Sequence, residues 1–361
     1  MNRARGKMRA MKCAQRIARN PLVLGLAAVL AVPAVSWALP GDCGPTVMIP
    51  EVLIGSQTEG EDAAGVVVVD KRRQLVLRYI FDMEWREKNR WPCSTGKAVG
   101  PKQNEGDQKT PEGLYFITRQ VMHRYLSDTY GSRALVLDFP NRIDSRLGRT
   151  GSNIWLHGTN KPLRRRDSNG CVVMRNADID ELAGLIQLQR TPVIIVRQLE
   201  WWPQTEAAEF AAVVLNLLEG WHHIVLGDHY GRFRDQYADD VVPSPEWWRT
   251  WSELRSDYSV DRSALKSEMR NVAMYRHQDV IMLLFDHFLG AGRVRVPVGR
   301  RRLSLRIVHG RIRIIEDRYH DNFEHANGGE EPLFSAWRRL WQYRHSVDSS
   351  PGKAGLEDHD T

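Results

Sequence analysis

Residues 154–176 read IWLHGTNKPLRRRDSNGCVVMRN, and the interpretation of the whole chain depends on this stretch. Its first four residues resemble a β-strand that ends at His157. After a polar, arginine-rich loop, a Ser-Asn-Gly turn precedes Cys171, fourteen residues beyond the histidine. A loop of this length can fold back and bring the two side chains together. Three interpretations are open: a catalytic Cys–His pair, two unrelated residues of a core, or ligands of a zinc ion.

Nucleophilic catalysis has a physical rationale at this spacing. A cysteine attacks as its thiolate, and a neighbouring imidazole can accept the proton and lower the thiol pKa from about 8.5 to well below neutrality. We predict Cys171 as the nucleophile and His157 as the base. Gly170 suits a tight turn, formed with Ser168 and Asn169, whose backbone N–H groups face a developing oxyanion. Ser168 is expected to form a hydrogen bond within this turn, or to support catalysis from behind it. A zinc site is disfavoured because no CxxC or HxxxH spacing accompanies the pair.

Four short motifs in order now suggest a family. The stretch carries His-Gly-Thr at 157–159 and Ser-Asn-Gly-Cys at 168–171, and further upstream lie CSTGKAVGPK at 93–102 and GDQKTPEG at 106–113. This order resembles the YkuD-type L,D-transpeptidase family, whose mark is His-Gly-Thr, a loop and Ser-X-Gly-Cys. The resemblance covers about residues 46–200, for which we predict an L,D-transpeptidase catalytic domain made mainly of β-strands.

The resemblance implies a reaction. Cys171 would attack the carbonyl of the third residue of a peptidoglycan stem peptide, expel the terminal D-alanine and hold a thioester. His157 would be the base, and the backbone carbonyl of Gly158 would orient its ring. An amine of another stem or of a protein lysine would then take the acyl group. Water in that role would make the protein a hydrolase of carboxypeptidase or amidase type. No cofactor and no metal ion is expected.

A third function, from another class, is an inactive wall-binding scaffold. The presence of His157, Gly170 and Cys171 together argues against it.

Two positions depart from the family pattern. Most members have an arginine two residues after the cysteine, where this chain has Val173, and the commoner motif has a histidine in place of Asn169. The contact to a substrate carboxylate therefore has to come from elsewhere. Arg175 and Arg166 are candidates, with Thr159 as a further polar contact, although an arginine run is also typical of a solvated loop. We expect the substrate contacts to differ while the nucleophile stays standard.

The amino terminus predicts export. The chain has 361 residues and a formal net charge of +7, and seven of its basic residues lie within the first 19. Because the remainder is close to neutral, we do not expect nucleic acid as a partner. An apolar run, Pro21–Ala38, follows and ends in small residues, which is typical of a signal peptide at 1–38. We expect the periplasm of a Gram-negative bacterium. The alternative is an uncleaved anchor in the inner membrane, which would be the only membrane contact.

Three cysteines remain after that segment. Cys43 follows Asp42, and an aspartate at that position does not fit a lipoprotein signal. Cys43 could form a disulfide with Cys93, or each of the two could be a small buried hydrophobic residue. The odd number is consistent with a free Cys171.

Residues 206–320 differ from the first domain in their sequence pattern, so two domains are expected. A helix at 206–221 precedes aromatic segments and then long strands, and this order resembles the NTF2-like (SnoaL-like) fold, an α+β cone. We expect this domain to bind a wall-associated partner or an acceptor protein. An amphipathic helix at 331–345 and a disordered tail at 346–361 complete the chain. The tryptophans at 247, 248 and 251 are interpreted as core, and the scattered histidines as structural rather than metal ligands.

Overall fold

The computed structural model describes residues 46–57, 65–227, 229–257, 265–319 and 331–348. The predicted signal peptide, Cys43 and residues 349–361 of the predicted tail lie outside these ranges. The described part is a mixed α+β structure in which strands predominate, as the sequence predicts. None of its helices is long and apolar enough to cross a membrane.

Fifteen strands and six helices form the described part. The strands are β1 (Met48–Pro50), β2 (Leu53–Gln57), β3 (Gly65–Asp70), β4 (Leu75–Asp82), β5 (Glu84–Pro92), β6 (Gly113–Met122), β7 (Arg133–Leu137), β8 (Trp155–His157), β9 (Val172–Val173), β10 (Pro192–Val196), β11 (Trp201–Pro203), β12 (Leu265–His277), β13 (Val280–Ala291), β14 (Val294–Val308) and β15 (Arg311–Tyr319). The helices are α1 (Arg142–Arg146), α2 (Asn176–Gly184), α3 (Gln204–Leu226), α4 (Tyr230–Arg234), α5 (Pro245–Asp257) and α6 (Pro332–Asp348). Two 3₁₀ turns, His123–Tyr125 and Asp128–Tyr130, follow β6.

The first sheet has eight strands in the order β5-β4-β3-β10-β6-β7-β8-β9. The hairpin predicted over residues 65–80 is present as β3 and β4. At the centre, β10 runs parallel to β3 and antiparallel to β6. Both β3 and β10 are almost continuously apolar and buried, as expected of strands covered on both faces. The sheet ends with β8 and β9, and these two strands carry the predicted site.

The second sheet is antiparallel, with the order β15-β14-β13-β12-β2. The predicted turn at His309 and Gly310 joins β14 to β15, and both residues have positive φ, which matches the twist of a two-residue hairpin loop. Its fifth strand, β2, comes from the chain that precedes the first sheet and pairs with β12. The chain therefore enters the second sheet before it builds the first.

The two sheets share one hydrophobic core. Val66, Val68 and Ile194, on one face of the first sheet, belong to the same buried cluster as Trp221 of α3 and Phe285 of β13. The opposite face packs into a separate cluster together with β8, β9 and α2. Because a domain in the usual sense has its own core, the carboxyl-terminal unit and the first sheet form one packed structure.

A buried charge network also crosses between the two sheets. The guanidinium of Arg302 on β14 lies 2.6 Å from a carboxylate oxygen of Glu316 and 3.7 Å from one of Asp138, which directly follows β7. The side chains of Arg302 and Glu316 are only 2% and 3% exposed. Burial raises the pKa of Asp138, whereas Arg302 lowers it. Arg302 therefore holds two acidic side chains of different elements together.

We expect Arg302→Leu to lower the free energy of unfolding by about 3 to 5 kcal/mol, since it leaves buried carboxylates without their cation. Urea unfolding measures this loss. The double variant Arg302→Leu/Glu316→Leu should recover a large part of it, because both members of the closest pair are then apolar. A single variant as stable as the parent would show that the network does not contribute.

Two details differ from the prediction for α2. Asn176 is not the N-cap: the cap position is Arg175, which makes no side-chain cap bond, and Asn176 is the first helical residue. The helix also ends at Gly184, although apolar spacing predicted it as far as Gln189. The final helix α6 extends to Asp348, three residues into the predicted tail. The tryptophans Trp248 and Trp251 are core residues, as predicted.

Candidate active site

The predicted nucleophile and base lie on neighbouring strands. Strand β8 ends at His157, and it pairs in parallel with β9, which begins immediately after Cys171. In this register Leu156 lies opposite Val172 and His157 opposite Val173. Cys171 is therefore diagonal to His157 across the strand pair, with the two Cα atoms about 8 Å apart from strand spacing and rise. Fourteen residues of loop connect them, as the sequence suggested.

Strand alternation places the two side chains on one face. Leu156 and Val172 are fully buried in the core between the sheet and α2. Since successive side chains of a strand point to opposite faces, His157 and Cys171 both lie on the other face, away from that core. His157 is 5% exposed and Cys171 is half-buried. A substrate carbonyl can thus approach the thiol, while the imidazole lies deeper.

The ring of His157 has a defined tautomer. Its Nδ1 lies 2.6 Å from the carbonyl oxygen of Gly158, and because a carbonyl only accepts, Nδ1 carries the proton. The unprotonated Nε2 is then the basic atom. Burial lowers the pKa of His157 from its ordinary value, against a smaller upward contribution from the Gly158 hydrogen bond. The imidazole is therefore neutral near pH 7 and able to accept a proton.

An aromatic side chain fixes the ring from another direction. Tyr130, at the end of a 3₁₀ turn, contacts His157 edge to face with 5.0 Å between ring centroids, and it also contacts Trp155 at 4.9 Å. Edge-to-face contacts of this kind stabilise a particular ring orientation. The imidazole is thus held by a hydrogen bond at Nδ1 and by an aromatic neighbour.

The thiol of Cys171 is protonated at rest. Burial raises its pKa, whereas a backbone hydrogen bond from Trp155 and the positive charge of Lys102 act in the opposite direction. The Sγ–H group donates to the carbonyl oxygen of Asn153 at 3.5 Å. The expectation of a thiol pKa far below neutrality is therefore not met. Base and nucleophile are both neutral, and the proton has to pass to Nε2 as attack occurs.

The turn before Cys171 is held by Ser168. Its hydroxyl donates to the carbonyl of Cys171 at 2.6 Å and accepts from the N–H of Gly170 at 3.1 Å. The hydrogen bond predicted within the turn is confirmed. The N–H of Gly170 is occupied by Ser168, so the prediction that N–H groups of this turn face an oxyanion rests on the other backbone donors of the turn. The side chain of Asn169 is exposed and lies 3.4 Å from the ammonium of Lys97.

Gly170 is required by its backbone. Its φ of +134° lies in a region that L side chains rarely adopt, and an added Cβ would lie 3.0 Å from the carbonyl oxygen of Lys109 and 3.2 Å from Ile154. A side chain here would displace the neighbouring nucleophile.

We expect Gly170→Ala to fold with an altered site. Its rate of reaction with iodoacetamide at Cys171 should differ from that of the parent at pH 8 by at least about tenfold, because a small displacement of the thiol strongly changes its reactivity. The matched control Gly184→Ala has open space around its Cβ and should leave the rate unchanged. Equal rates for Gly170→Ala and the parent would contradict this account.

Two upstream segments hold the turn in place. Ser94 exchanges backbone hydrogen bonds with Val173, and Gly96 forms a bridge with Ser168. Gln74 joins this segment to the arginine loop: its side-chain oxygen accepts from the N–H groups of both Thr95 and Arg166. The motif at 93–102 thus forms the strand-like edge against which the cysteine turn folds.

The motif at 106–113 contains Asp107, which forms an ion pair with Lys102. Asp107 accepts from three backbone N–H groups and from the ammonium of Lys102 at 2.8 Å, and the pKa of its carboxyl is lowered to about 2, with hydrogen bonds from Lys102 and backbone N–H groups outweighing desolvation. A Cβ on Gly151 would lie 3.0 Å from Lys102, so this lysine packs under the loop that leads to Asn153. Its charge is therefore fixed near the thiol.

The predicted substrate contacts lie at different distances from the thiol. Arg175 is exposed and occupies the cap position of α2, two residues beyond the end of β9. Arg166 is half-buried, and its backbone rather than its side chain is bound by Gln74. Thr159 is half-buried, and its hydroxyl accepts from the backbone of Lys161.

The sequence suggests that Gly158 allows an unusual backbone angle, but the structure requires a glycine there because a side chain would not fit. It has no positive φ, but an added Cβ would lie 2.3 Å from the side-chain oxygen of Asn176. Asn176, Tyr130, Lys102 and Gln74 were not predicted as site residues. Lys102 lies in the quoted motif, whereas Tyr130 carries no local signal.

Two further features of the site region concern metal ligands and a disulfide. Among the residues that the structure describes, no group of three or more His, Cys, Asp or Glu side chains is arranged to hold a metal ion. Cys93 is buried and forms no disulfide within the described ranges. Its pairing with Cys43, which lies outside them, stays a prediction.

Comparison with known proteins identifies the fold of this site. Residues 64–195 match the YkuD family, the L,D-transpeptidase catalytic domain. YafK of Escherichia coli K12, which bears the name L,D-transpeptidase, is 33% identical over 90 residues, covering 25% of this chain and 33% of YafK. The chain therefore covers about a third of the length of this curated relative.

Two solved structures share the fold over much of the chain. Bd1075 of Bdellovibrio bacteriovorus aligns with a TM-score of 0.63 and 23% identity, over 76% of this chain and 98% of its own. The helical cell shape determining protein Pgp2 of Campylobacter jejuni aligns with a TM-score of 0.52 and 19% identity, over 73% of this chain and 96% of its own. These alignments extend beyond residues 64–195 and so include part of the second unit. Residues 64–195 of the chain are thus similar to the L,D-transpeptidase catalytic domain of the YkuD family.

Proposed function

We propose that the protein is a peptidoglycan L,D-transpeptidase that forms a thioester at Cys171. The observation that carries this proposal is the placement of Cys171 and His157 on one face of two paired strands, with Nδ1 of the histidine engaged by Gly158. This arrangement leaves Nε2 as a base on the side of the thiol. A neutral imidazole beside a neutral thiol is a competent starting state for acyl transfer.

The proton movements follow from this state. Nε2 of His157 takes the thiol proton as sulfur attacks the carbonyl of the third stem residue. The bond from that carbonyl to the terminal D-alanine breaks, and the departing amine receives the proton from the imidazolium. An acceptor amine then gives a proton to Nε2 and attacks the thioester, which releases the sulfur. The side chain of Lys102 favours the negative charge that develops on sulfur during both steps.

The acidic limb of the pH profile should report His157. Because burial lowers its pKa below 6.5, the imidazole stays neutral until the solution is more acidic than for an ordinary histidine. We expect kcat/KM to stay level from pH 7.5 to pH 6.5 and to fall only below that, since kcat/KM follows the ionisations of the free enzyme. Initial rates across this range measure it. A midpoint above pH 6.5 would contradict the buried, neutral histidine.

The acceptor decides between transferase and hydrolase. The purified mature protein is incubated with muropeptides, with and without Cys171→Ala, and products are analysed by mass spectrometry. Dimers joined through third-position residues support transpeptidation. Trimmed monomers would make the same pair a hydrolase of the carboxypeptidase or amidase type. Unchanged muropeptides with both proteins would overturn both and favour an inactive wall-binding scaffold.

The remaining parts of the proposal concern context. We propose a role in cell wall cross-linking or remodelling that affects cell shape; Pgp2, which shares the fold, is described as a helical cell shape determining protein. The amino-terminal sequence supports export to the periplasm. The antiparallel sheet with α3 to α6 is consistent with an NTF2-like module, for which we propose a wall-associated partner or acceptor protein. Its shared core with the first sheet supports a fixed position relative to the catalytic unit.

A further inference from the structure

Asn176 makes contacts that its position in a helix does not require. It is the first residue of α2, yet its side chain reaches outside the helix. Its Oδ1 accepts from the backbone N–H of Ser132 at 3.0 Å, 44 residues away along the chain. Its Nδ2 donates to Oδ1 of Asn160 at 2.8 Å. The amide therefore joins the segment before β7 to the segment after β8.

Two glycines make room for this amide. A Cβ added to Gly131 would lie 2.1 Å from Oδ1 of Asn176, and one added to Gly158 would lie 2.3 Å from the same atom. Real Cβ atoms essentially never come within 3.0 Å of another heavy atom in this way. Oδ1 is thus wedged between two backbone turns that only glycine can form here.

Each of these turns holds the catalytic histidine. The carbonyl of Gly158 accepts the Nδ1 proton of His157 at 2.6 Å. Gly131 directly follows Tyr130, whose ring contacts the imidazole at 5.0 Å between centroids. One side chain consequently fixes both neighbours that orient the ring.

We infer that Asn176 is a positioning residue that sets the tautomer and orientation of His157 through the Gly131 and Gly158 turns. The inference deepens the proposed function, since it assumes that His157 serves as the base. Asn176 itself does not need to touch the substrate. A loss of its amide frees the Gly158 peptide to rotate, and Nδ1 then loses its fixed acceptor. Because a misplacement of about 1 Å can cost about 10²-fold in rate, the catalytic consequence is large.

The direct test is nitrogen NMR of the full chain labelled with ¹⁵N-histidine at pH 7.5. The signals of His157 are assigned by their absence in His157→Gln. In the parent they should show a single tautomer protonated at Nδ1. In Asn176→Ala and in Asn176→Ser they should move to the average of two exchanging tautomers. Two truncations are used because either folded variant decides the result, with folding checked by circular dichroism.

Two matched variants separate positioning from general stability. Asn176→Asp keeps an oxygen that can accept from Ser132, and it should retain the Nδ1-protonated signals. Asn160→Ala removes the partner of Nδ2, together with the hydrogen bond from Asn160 to the carbonyl of Asp128, and should do the same. If folded Asn176→Ala or Asn176→Ser keeps the parent signals, the inference is wrong, and it is also wrong if Asn160→Ala loses them to the same extent.

Kinetics provide the second readout. In a muropeptide assay, Asn176→Ala should lower kcat by about 10²-fold with little change in KM, since the base and not the binding surface is disturbed. A rise in KM alone would contradict a role through His157. If even the parent turns over no muropeptide, the proposed function fails, while the NMR comparison still decides whether Asn176 positions the ring.

Discussion

Replacing Cys171 by alanine is expected to lower kcat for stem-peptide turnover by at least about 10⁴-fold, because a nucleophile and its base act as one unit and removal of the nucleophile removes the covalent route. The fold should survive the change. Cys171 is half-buried at the end of a turn whose hydrogen bonds come from Ser168 and the backbone, none of which needs the thiol. Mass-spectrometric quantification of muropeptide products over time measures the loss.

The matched control is Cys93→Ala. This second thiol is only 3% exposed in the core, where burial raises its pKa and a substrate carbonyl cannot reach it. We expect this variant to lose stability but to keep kcat within a few-fold of the parent. Residual turnover by Cys171→Ala at more than about a hundredth of the parent rate would point to another nucleophile.

Replacing His157 by glutamine is expected to lower kcat/KM at pH 7 by about 10² to 10⁴-fold, the range of a general base. The structure adds a more specific expectation. Since burial raises the pKa of Cys171, the thiol does not ionise by itself near neutrality, and the variant lacks the group that takes its proton. Its activity should rise steadily from pH 7 to about pH 9 as solvent generates the thiolate. The parent should be nearly level over the same interval.

An exposed histidine of α3 provides the control. His223→Gln should match the parent in rate and in pH profile, since this side chain is exposed on a helix that contributes no residue to the candidate site. A His157→Gln profile as level as that of the parent would mean that a different group accepts the thiol proton.

The proximity of the Cys–His pair could be predicted from sequence because its determinants are local. His157 and Cys171 belong to one stretch of 23 residues, and the glycine and serine of its turn are recognisable by residue type. The groups that orient the pair are distant in sequence. Tyr130 reaches His157 from a 3₁₀ turn upstream, and Asn176, the last residue of the same stretch, binds the backbone of Ser132, 44 residues away. No periodicity of the chain reports contacts of this kind.

The strands were predictable for a similar reason, whereas their assembly was not. Alternating and continuous apolar runs indicate the hairpin of β3 and β4 and that of β14 and β15. The pairing of β2 with β12 joins residues 53–57 to residues near 274, and the pattern of either strand is compatible with many partners. For the same reason the sequence does not show that one face of the first sheet shares a buried cluster with the second sheet, while its other face packs into a separate cluster.

The pKa of the Cys171 thiol could not be predicted from the sequence, for a different reason. Residue types suggest an imidazole that lowers the thiol pKa, but the sign of the shift depends on burial, which sequence does not give. In the structure burial outweighs the Trp155 hydrogen bond and the charge of Lys102. The consequence is functional: a protonated thiol is spared from casual oxidation and becomes nucleophilic only when its proton passes to His157.

Specificity is where this chain differs from the common motif. With Val173 in place of the usual arginine, the face beside Cys171 carries an apolar side chain at that position. Arg175, the nearest arginine in sequence, is exposed at the cap position of α2, beyond the end of β9. We therefore expect the contact to a substrate carboxylate to differ from that of the common motif.

The thioester at Cys171 is the central claim, and intact-protein mass spectrometry tests it most directly. The mature parent protein, Cys171→Ala and Cys93→Ala are mixed with a disaccharide tetrapeptide and quenched in acid within seconds. We predict an adduct equal to the muropeptide minus D-alanine on the parent and on Cys93→Ala, removed by neutral hydroxylamine and located to Cys171 by peptide mapping. An adduct of the same mass on Cys171→Ala, or dimer formation with no adduct on the parent at any time, would contradict the account.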